Sequence, residues 1–211
     1  MKSISLSTEM VEAILEGRKT TFRRNIKPQP TFSKNSGYNW GRRAFGIGFT
    51  DGQTLLNWTS TMIEFHSSYK VGDTLYVREK FNDEETDSIL YAADKEFIDY
   101  GCKKVDGFLF MEGDIEWKPA SHMPRDAARI FLTVTQVRIE RLRHMNVNDF
   151  LREGIMPIYG VKTACELVRT HAEKFKTYWD NTIAKEDIDK YGYDANPWVW
   201  VIEFEVQLIV S

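Results

Sequence analysis

Five cations lie within ten residues in the stretch Glu16–Pro30, EGRKTTFRRNIKPQP: Arg18, Lys19, Arg23, Arg24 and Lys27. The Thr and Phe content of KTTFRRNI predicts a strand, ended by KPQP because proline cannot donate to a ladder. Successive side chains of a strand point to opposite faces. Lys19, Thr21 and Arg23 then share one face, and Arg18, Thr20, Phe22 and Arg24 the other. Guanidinium forks bind phosphate bidentately, and an aromatic ring between them offers a stacking surface for an unpaired base. The pattern fits a nucleic-acid contact. It fits equally an exposed edge strand protected by charge, and the spacing leaves both readings open.

Other candidates are more dispersed. Arg78 and Glu79 are neighbours on a predicted strand, so one of them points inward. His122, Arg125 and Arg129 sit in a Pro-interrupted segment, where Arg125 suits either a phosphate or a structural partner such as Asp126. Trp40, Trp58 and Trp117 are candidate stacking rings, whereas Trp198 and Trp200 read as core. The four histidines, His66, His122, His144 and His171, show no metal-ligand spacing, and His171 reads as a packed or solvated helical residue. No phosphate-binding glycine loop, dinucleotide fingerprint or HExxH occurs. Neither a metal nor a cofactor is expected.

These residues need a scaffold, and its elements are visible in the periodicity. KSISLS alternates as a strand, followed by a helix started at Ser7 or Thr8, with Val11, Ile14 and Leu15 as its stripe and Gly17 as its stop. VGDTLYVREKF is a turn and a strand with Leu75 and Val77 inward. RIFLTVTQVRIERL is the longest strand pattern. NVNDFLREG is a short helix closed by Gly154. Val161, Cys165, Val168, Ala172, Phe175 and Trp179 give helical spacing over 161–182. WVWVIEFEVQLIV ends the chain as a strand with Trp198, Trp200, Ile202 and Phe204 on one face. Residues 31–70 predict a β-rich region with strands in RRAFGIGF and QTLLNW, and 82–116 a variable excursion around ILYAAD and GFLFM. The class is α+β, with first and last strands able to close one barrel.

The 211 residues carry a net charge of −3, with 42% hydrophobic and 13% aromatic residues. That suffices for a core without staples. The two cysteines, Cys102 and Cys165, predict buried free thiols in a reducing compartment. The N-terminus does not read as a signal peptide, and no apolar run has the length of a membrane span. Net charge excludes nothing about nucleic acid, because binding follows the local field.

Six blocks occur in order: EMVEAILEGRKTTFRRNIKP, VGDTLYVREKF, HMPRDAARIFLTVTQVRIERL, LREGI, YWDNTI and DANPWVWVIEF. Together they resemble the ASCH-domain family, in the longer form common in phage and prophage genomes. The resemblance implies a single PUA-like β-barrel domain over 1–211, with flanking helices and insertions at about 31–70 and 82–116. It implies a cleft for RNA or a modified nucleoside, lined by Arg18, Lys19, Arg23, Arg24, Arg78 and Arg125, and a location in the bacterial cytoplasm. It gives no oligomeric state. One branch of the family hydrolyses N4-acetylcytidine with a lysine, a threonine and a glutamate. Carried over, the lysine is Lys19 and the glutamate Glu153, but Phe22 occupies the threonine position. Thr21, on the face of Lys19, or a water would have to serve instead; an ordinary Lys19–Glu153 salt bridge is the competing reading. The expectations are therefore a binding module, an amidohydrolase, or a metal-independent ribonuclease.

Overall fold

The computed structural model describes residues 1–33, 37–40, 43–45, 63, 66–84, 89–94, 97–98, 102–105, 108–111 and 115–208. In chain order its elements begin with β1 (Lys2–Ser5), α1 (Thr8–Leu15), β2 (Thr21–Asn25), β3 (Thr31–Ser33), β4 (Gly37–Trp40) and β5 (Arg43–Phe45). Then come β6 (Thr74–Arg78), β7 (Phe81–Asn82), β8 (Leu90–Tyr91), β9 (Phe97–Ile98), β10 (Cys102–Val105) and β11 (Phe108–Met111). The remainder is β12 (Ile130–Arg141), α2 (Val147–Arg152), α3 (Ala164–Asp180), α4 (Ile188–Tyr191) and β13 (Trp198–Leu208). The class is α+β, as expected. The largest sheet has the order β1-β6-β12-β13-β2. In that order β1 neighbours β6, and β13 lies between β12 and β2. No helix among the described residues is long and apolar enough to cross a membrane.

The chain divides into two compact units. The first comprises Met1–Lys19, Asp73–Thr133 and Glu205–Ser211; the second comprises Thr20–Gly72 and Val134–Phe204. In the first unit β1 runs parallel to β6, from Lys2 opposite Leu75 to Ser5 opposite Arg78. The start of β12 is antiparallel to β6, with Phe131 opposite Tyr76. Ile4, Leu75, Val77, Ile130 and Leu132 are buried by this alternation. Helix α1 buries Met10, Val11, Ala13 and Ile14, while Leu15 is exposed, contrary to the expected stripe. Ser7 stands at its N-cap position but makes no side-chain cap bond. Gly17 ends the helix at φ +72°, a conformation that glycine adopts without a Cβ clash. Two smaller sheets, β11-β10-β9 and β7-β8, complete the described strands of this unit.

In the second unit β13 is antiparallel to β2, from Val199 opposite Asn25 to Glu203 opposite Thr21. The sequence predicts one apolar face on β13, yet both are buried. Trp198, Trp200, Ile202 and Phe204 cover one, and Val199 and Val201 are equally inaccessible on the other. The second face packs in a cluster with Leu142, Phe150, Phe175 and Trp179, because α2 and α3 lie over it. Helix α2 begins with a capping box in which Asn146 and Asp149 bond each other's backbone N–H. Helix α3 is capped by Thr163, so it starts later than the apolar spacing suggests. The first part of its predicted stripe is not core: Val168 is exposed. Cys165 is exposed as well, correcting the expectation of a buried thiol. His171 is packed: it is buried, with Nδ1 2.8 Å from the Leu167 carbonyl. The strands of 31–70 described are β3-β4-β5; the predicted QTLLNW strand lies outside the described residues.

Candidate functional site

Strand β2 and α2 are fastened by backbone. The Thr20 N–H donates to the Arg152 carbonyl at 2.9 Å, and the Thr20 carbonyl accepts from Phe204 N–H at 3.0 Å. Glu153 is the C-cap residue of α2, and Gly154, at φ +93°, turns the chain away behind it. The end of α2 is thereby set over the face of β2 that carries Thr21 and Arg23.

Arg23 is the centre of a buried charge network. Its Nη1 donates to Glu153 Oε1 at 2.8 Å, and its Nη2 lies 3.4 Å from Glu140 and 3.8 Å from Asp149. The side chains of Arg23 and Glu153 are only 1% and 2% exposed. Burial of an isolated charge is costly, so each carries the other. The network extends outward through Arg138, which bonds Glu140 at 2.6 Å and also Glu203. Burial disfavours the Arg138 cation, but its hydrogen bonds to Glu140 and Glu203 outweigh that and raise its pKa. Arg152 reaches Glu203 at 3.8 Å from a more exposed position. Among the described residues, then, three arginines, Arg23, Arg138 and Arg152, meet four carboxylates, Glu140, Asp149, Glu153 and Glu203.

Thr21 is buried beside Arg23 on the same face. Phe22 points to the opposite face, where its ring lies 5.5 Å from Tyr69 and 5.9 Å from Phe204, under the Arg24 guanidinium at 5.4 Å. Phe22 is thus a packed ring with a cation on it. Trp40 is buried as well, stacked on His66 at 4.2 Å and close to Trp200; Trp58 lies outside the described residues.

The other candidates belong to the first unit. Lys19 is fully buried, and its backbone N–H bonds the Ala13 carbonyl at 2.9 Å. Arg18 pairs with Glu16 at 2.5 Å. Of the neighbours Arg78 and Glu79, it is Glu79 that is buried, gripped by both arms of Arg129 at 3.1 Å. Arg129 also bonds Asp94 at 2.6 Å and lies 3.9 Å over the Tyr91 ring. Arg78 donates Nη1 to the Ser121 carbonyl at 3.1 Å. Arg125 sits in a one-turn 3-10 helix, exposed.

Of the candidates, the structure joins Arg23 with Glu153. Sequence reasoning missed Glu140, Asp149 and Glu203 as their partners, and missed the Glu79–Arg129–Asp94–Tyr91 group. The available signal was charge at alternate positions of otherwise apolar strands, as at Arg138, Glu140 and Glu203. Among the described residues no group of three His, Cys, Asp or Glu side chains is placed to hold a metal. No family model, curated protein or solved structure matches the chain.

Proposed function

We propose that the protein is a PUA-like module of the ASCH type that binds RNA or a modified nucleoside. The observation that supports this is the burial of polar side chains on the covered face of β2: Thr21 and Arg23 are 2% exposed, and Glu153 above them 1%. Stability alone gives little reason to keep them. Replacing a buried ion pair by apolar residues of similar volume is often neutral or stabilising. Recognition does give a reason, because desolvated donors and acceptors discriminate strongly between ligands that satisfy them and ligands that do not.

The test is calorimetric titration with cytidine and N4-acetylcytidine, alongside anisotropy of a labelled single-stranded RNA at several salt concentrations. Binding of either ligand class, weakened at least tenfold by Thr21→Val in a folded protein, is the expected result. A folded wild-type chain that binds neither at low salt would sink the proposal.

A second reading is hydrolysis of the acetyl amide of N4-acetylcytidine. It is favoured by Thr21, a hydroxyl on the same strand face as Arg23, whose guanidinium holds the Glu153 carboxylate. It is disfavoured by Phe22, packed against Phe204 and Tyr69 where the resemblance calls for threonine. Release of cytidine, abolished in Lys19→Ala, would select it over simple binding.

A further inference from the structure

Several basic side chains of the first unit fall into two sets. Lys2, Arg18, Lys118 and Arg129 each have a carboxylate partner. Arg78, Lys80, His122 and Arg125 form no ion pair among the described residues. Three of this second set converge. Arg78 Nη1 is pinned by the Ser121 carbonyl, and the next residue, Glu79, donates its backbone N–H to Met123 Sδ at 3.3 Å. The end of β6 is thereby packed on residues 121–123. His122 is exposed in that contact segment, and Arg125 is exposed in the turn two residues beyond it. Lys80 follows two residues after Arg78 and is exposed too. The acid of this segment is Asp126, exposed next to Arg125. Arg78 Nε is sealed and has no acceptor, so this guanidinium is held by one neutral carbonyl and no carboxylate.

Such an arrangement is suited to an anion. An arginine already paired with a carboxylate must surrender that partner to take up a phosphate. A guanidinium pinned through one nitrogen and free of carboxylates has nothing to surrender, and its immobilisation lowers the entropy lost on binding. Guanidinium also matches phosphate oxygens geometrically. Arg78 and Arg125, with the Lys80 ammonium and the His122 ring N–H as further donors, suit successive phosphates better than a single one.

We propose that Arg78, His122 and Arg125, with Lys80 beside them, grip the phosphodiester backbone of single-stranded RNA. This rests on the RNA form of the proposed function and assigns its phosphate contacts to residues other than the paired Arg18 and Arg23. Each phosphate contact contributes about 0.7 to the slope of log K against log salt for a single strand. The experiment measures that slope by anisotropy, with a short labelled RNA, for wild type, Arg125→Gln, Arg125→Lys, Arg78→Gln and Lys174→Gln. Lys174 is exposed on α3, forms no ion pair among the described residues, and controls for net charge.

The expected result is a slope reduced by about 0.7 in Arg125→Gln and in Arg78→Gln, restored in Arg125→Lys and unchanged in Lys174→Gln. RNA binding with the wild-type slope in both glutamine variants overturns the phosphate patch and leaves the binding module standing. Binding of free nucleoside without RNA does the same. Binding of neither overturns both. Loss of folding in Arg78→Gln, visible by circular dichroism, leaves Arg125→Gln to decide.

Discussion

Arg23 at the middle of β2 and Arg78 at the end of β6 are both strand arginines, and their surroundings could hardly differ more. Arg23 is sealed by α2 and surrounded by Glu140, Asp149 and Glu153. Arg78 meets a 3-10 turn that offers one backbone carbonyl and no carboxylate. The element laid over the strand makes the difference. A helix that covers an arginine must bring neutralising charge with it, because the cation has lost its water. A turn at the margin leaves the cation half-buried, with a single carbonyl on it and no carboxylate. Cationic residue types therefore do not mark a nucleic-acid contact by themselves; their state of pairing does.

The largest expected effect tests the sealed half of this comparison. Glu153→Ala leaves Arg23 buried with its nearest carboxylate gone and should cost about 3–5 kcal/mol in urea denaturation. Joint replacement, Arg23→Met with Glu153→Met, should cost less than Glu153→Ala alone, since no charge is then stranded. A loss below about 1 kcal/mol for Glu153→Ala, the value of a surface pair, would show that the network is solvated and erase the contrast with Arg78.

Arg129→Met asks whether burial, and not the unit concerned, sets the cost. Arg129 holds buried Glu79 in a bidentate grip, but its own side chain is 23% exposed. The loss should be smaller, about 2–3 kcal/mol, because water partly screens it. A loss equal to that of Glu153→Ala would point to the Tyr91 stacking and Asp94 as larger contributors than the Glu79 pair.

How far all this could be read in advance depends on range along the chain. The strands at Leu75 and Val77 and at Ile130 to Val134, and the glycine stops at Gly17 and Gly154, follow from neighbours within a few residues. Burial of Val199 and Val201 does not, because it depends on α2 and α3 covering the second face of β13. The site was legible in its residue types but not in its pairing. Arg23 and Glu153 are 130 positions apart, and nothing in EGRKTTFRRN says which of its cations will meet a carboxylate. Arg18, Arg23 and Arg24 look alike in sequence; they end on Glu16, on Glu153 and over the Phe22 ring.

A smaller effect should appear at alkaline pH. Burial raises the Tyr91 pKa above its ordinary 10.0, and although Arg129 pulls it down, Glu79 and Asp94 push it up again. Below pH 10 the phenol is protonated in folded and unfolded chains alike. As pH rises past 10 the unfolded phenol loses its proton first, so the unfolded state binds fewer protons and stability falls. Tyr91→Phe should remove that component of the alkaline decline. At neutral pH it should cost about 1 kcal/mol, for the lost hydroxyl bond to the Ala127 carbonyl at 2.8 Å. An unchanged alkaline slope in Tyr91→Phe would mean that the folded phenol is solvated, and with it the face of Arg129 that covers it.

The smallest stability effect belongs to the open half of the comparison. Arg125 is exposed and forms no ion pair among the described residues, so Arg125→Gln should leave the urea midpoint unchanged to within about 0.5 kcal/mol. Arg78→Gln should cost about 1 kcal/mol, the value of one hydrogen bond to Ser121. The contrast with Glu153→Ala is then several-fold in stability, and it should run the other way for RNA, where Arg125 matters and stability does not move. A stability loss above about 2 kcal/mol for Arg125→Gln would place Arg125 among the structural cations. The distinction between neutralised and available charge would then fail at the residue on which it depends most.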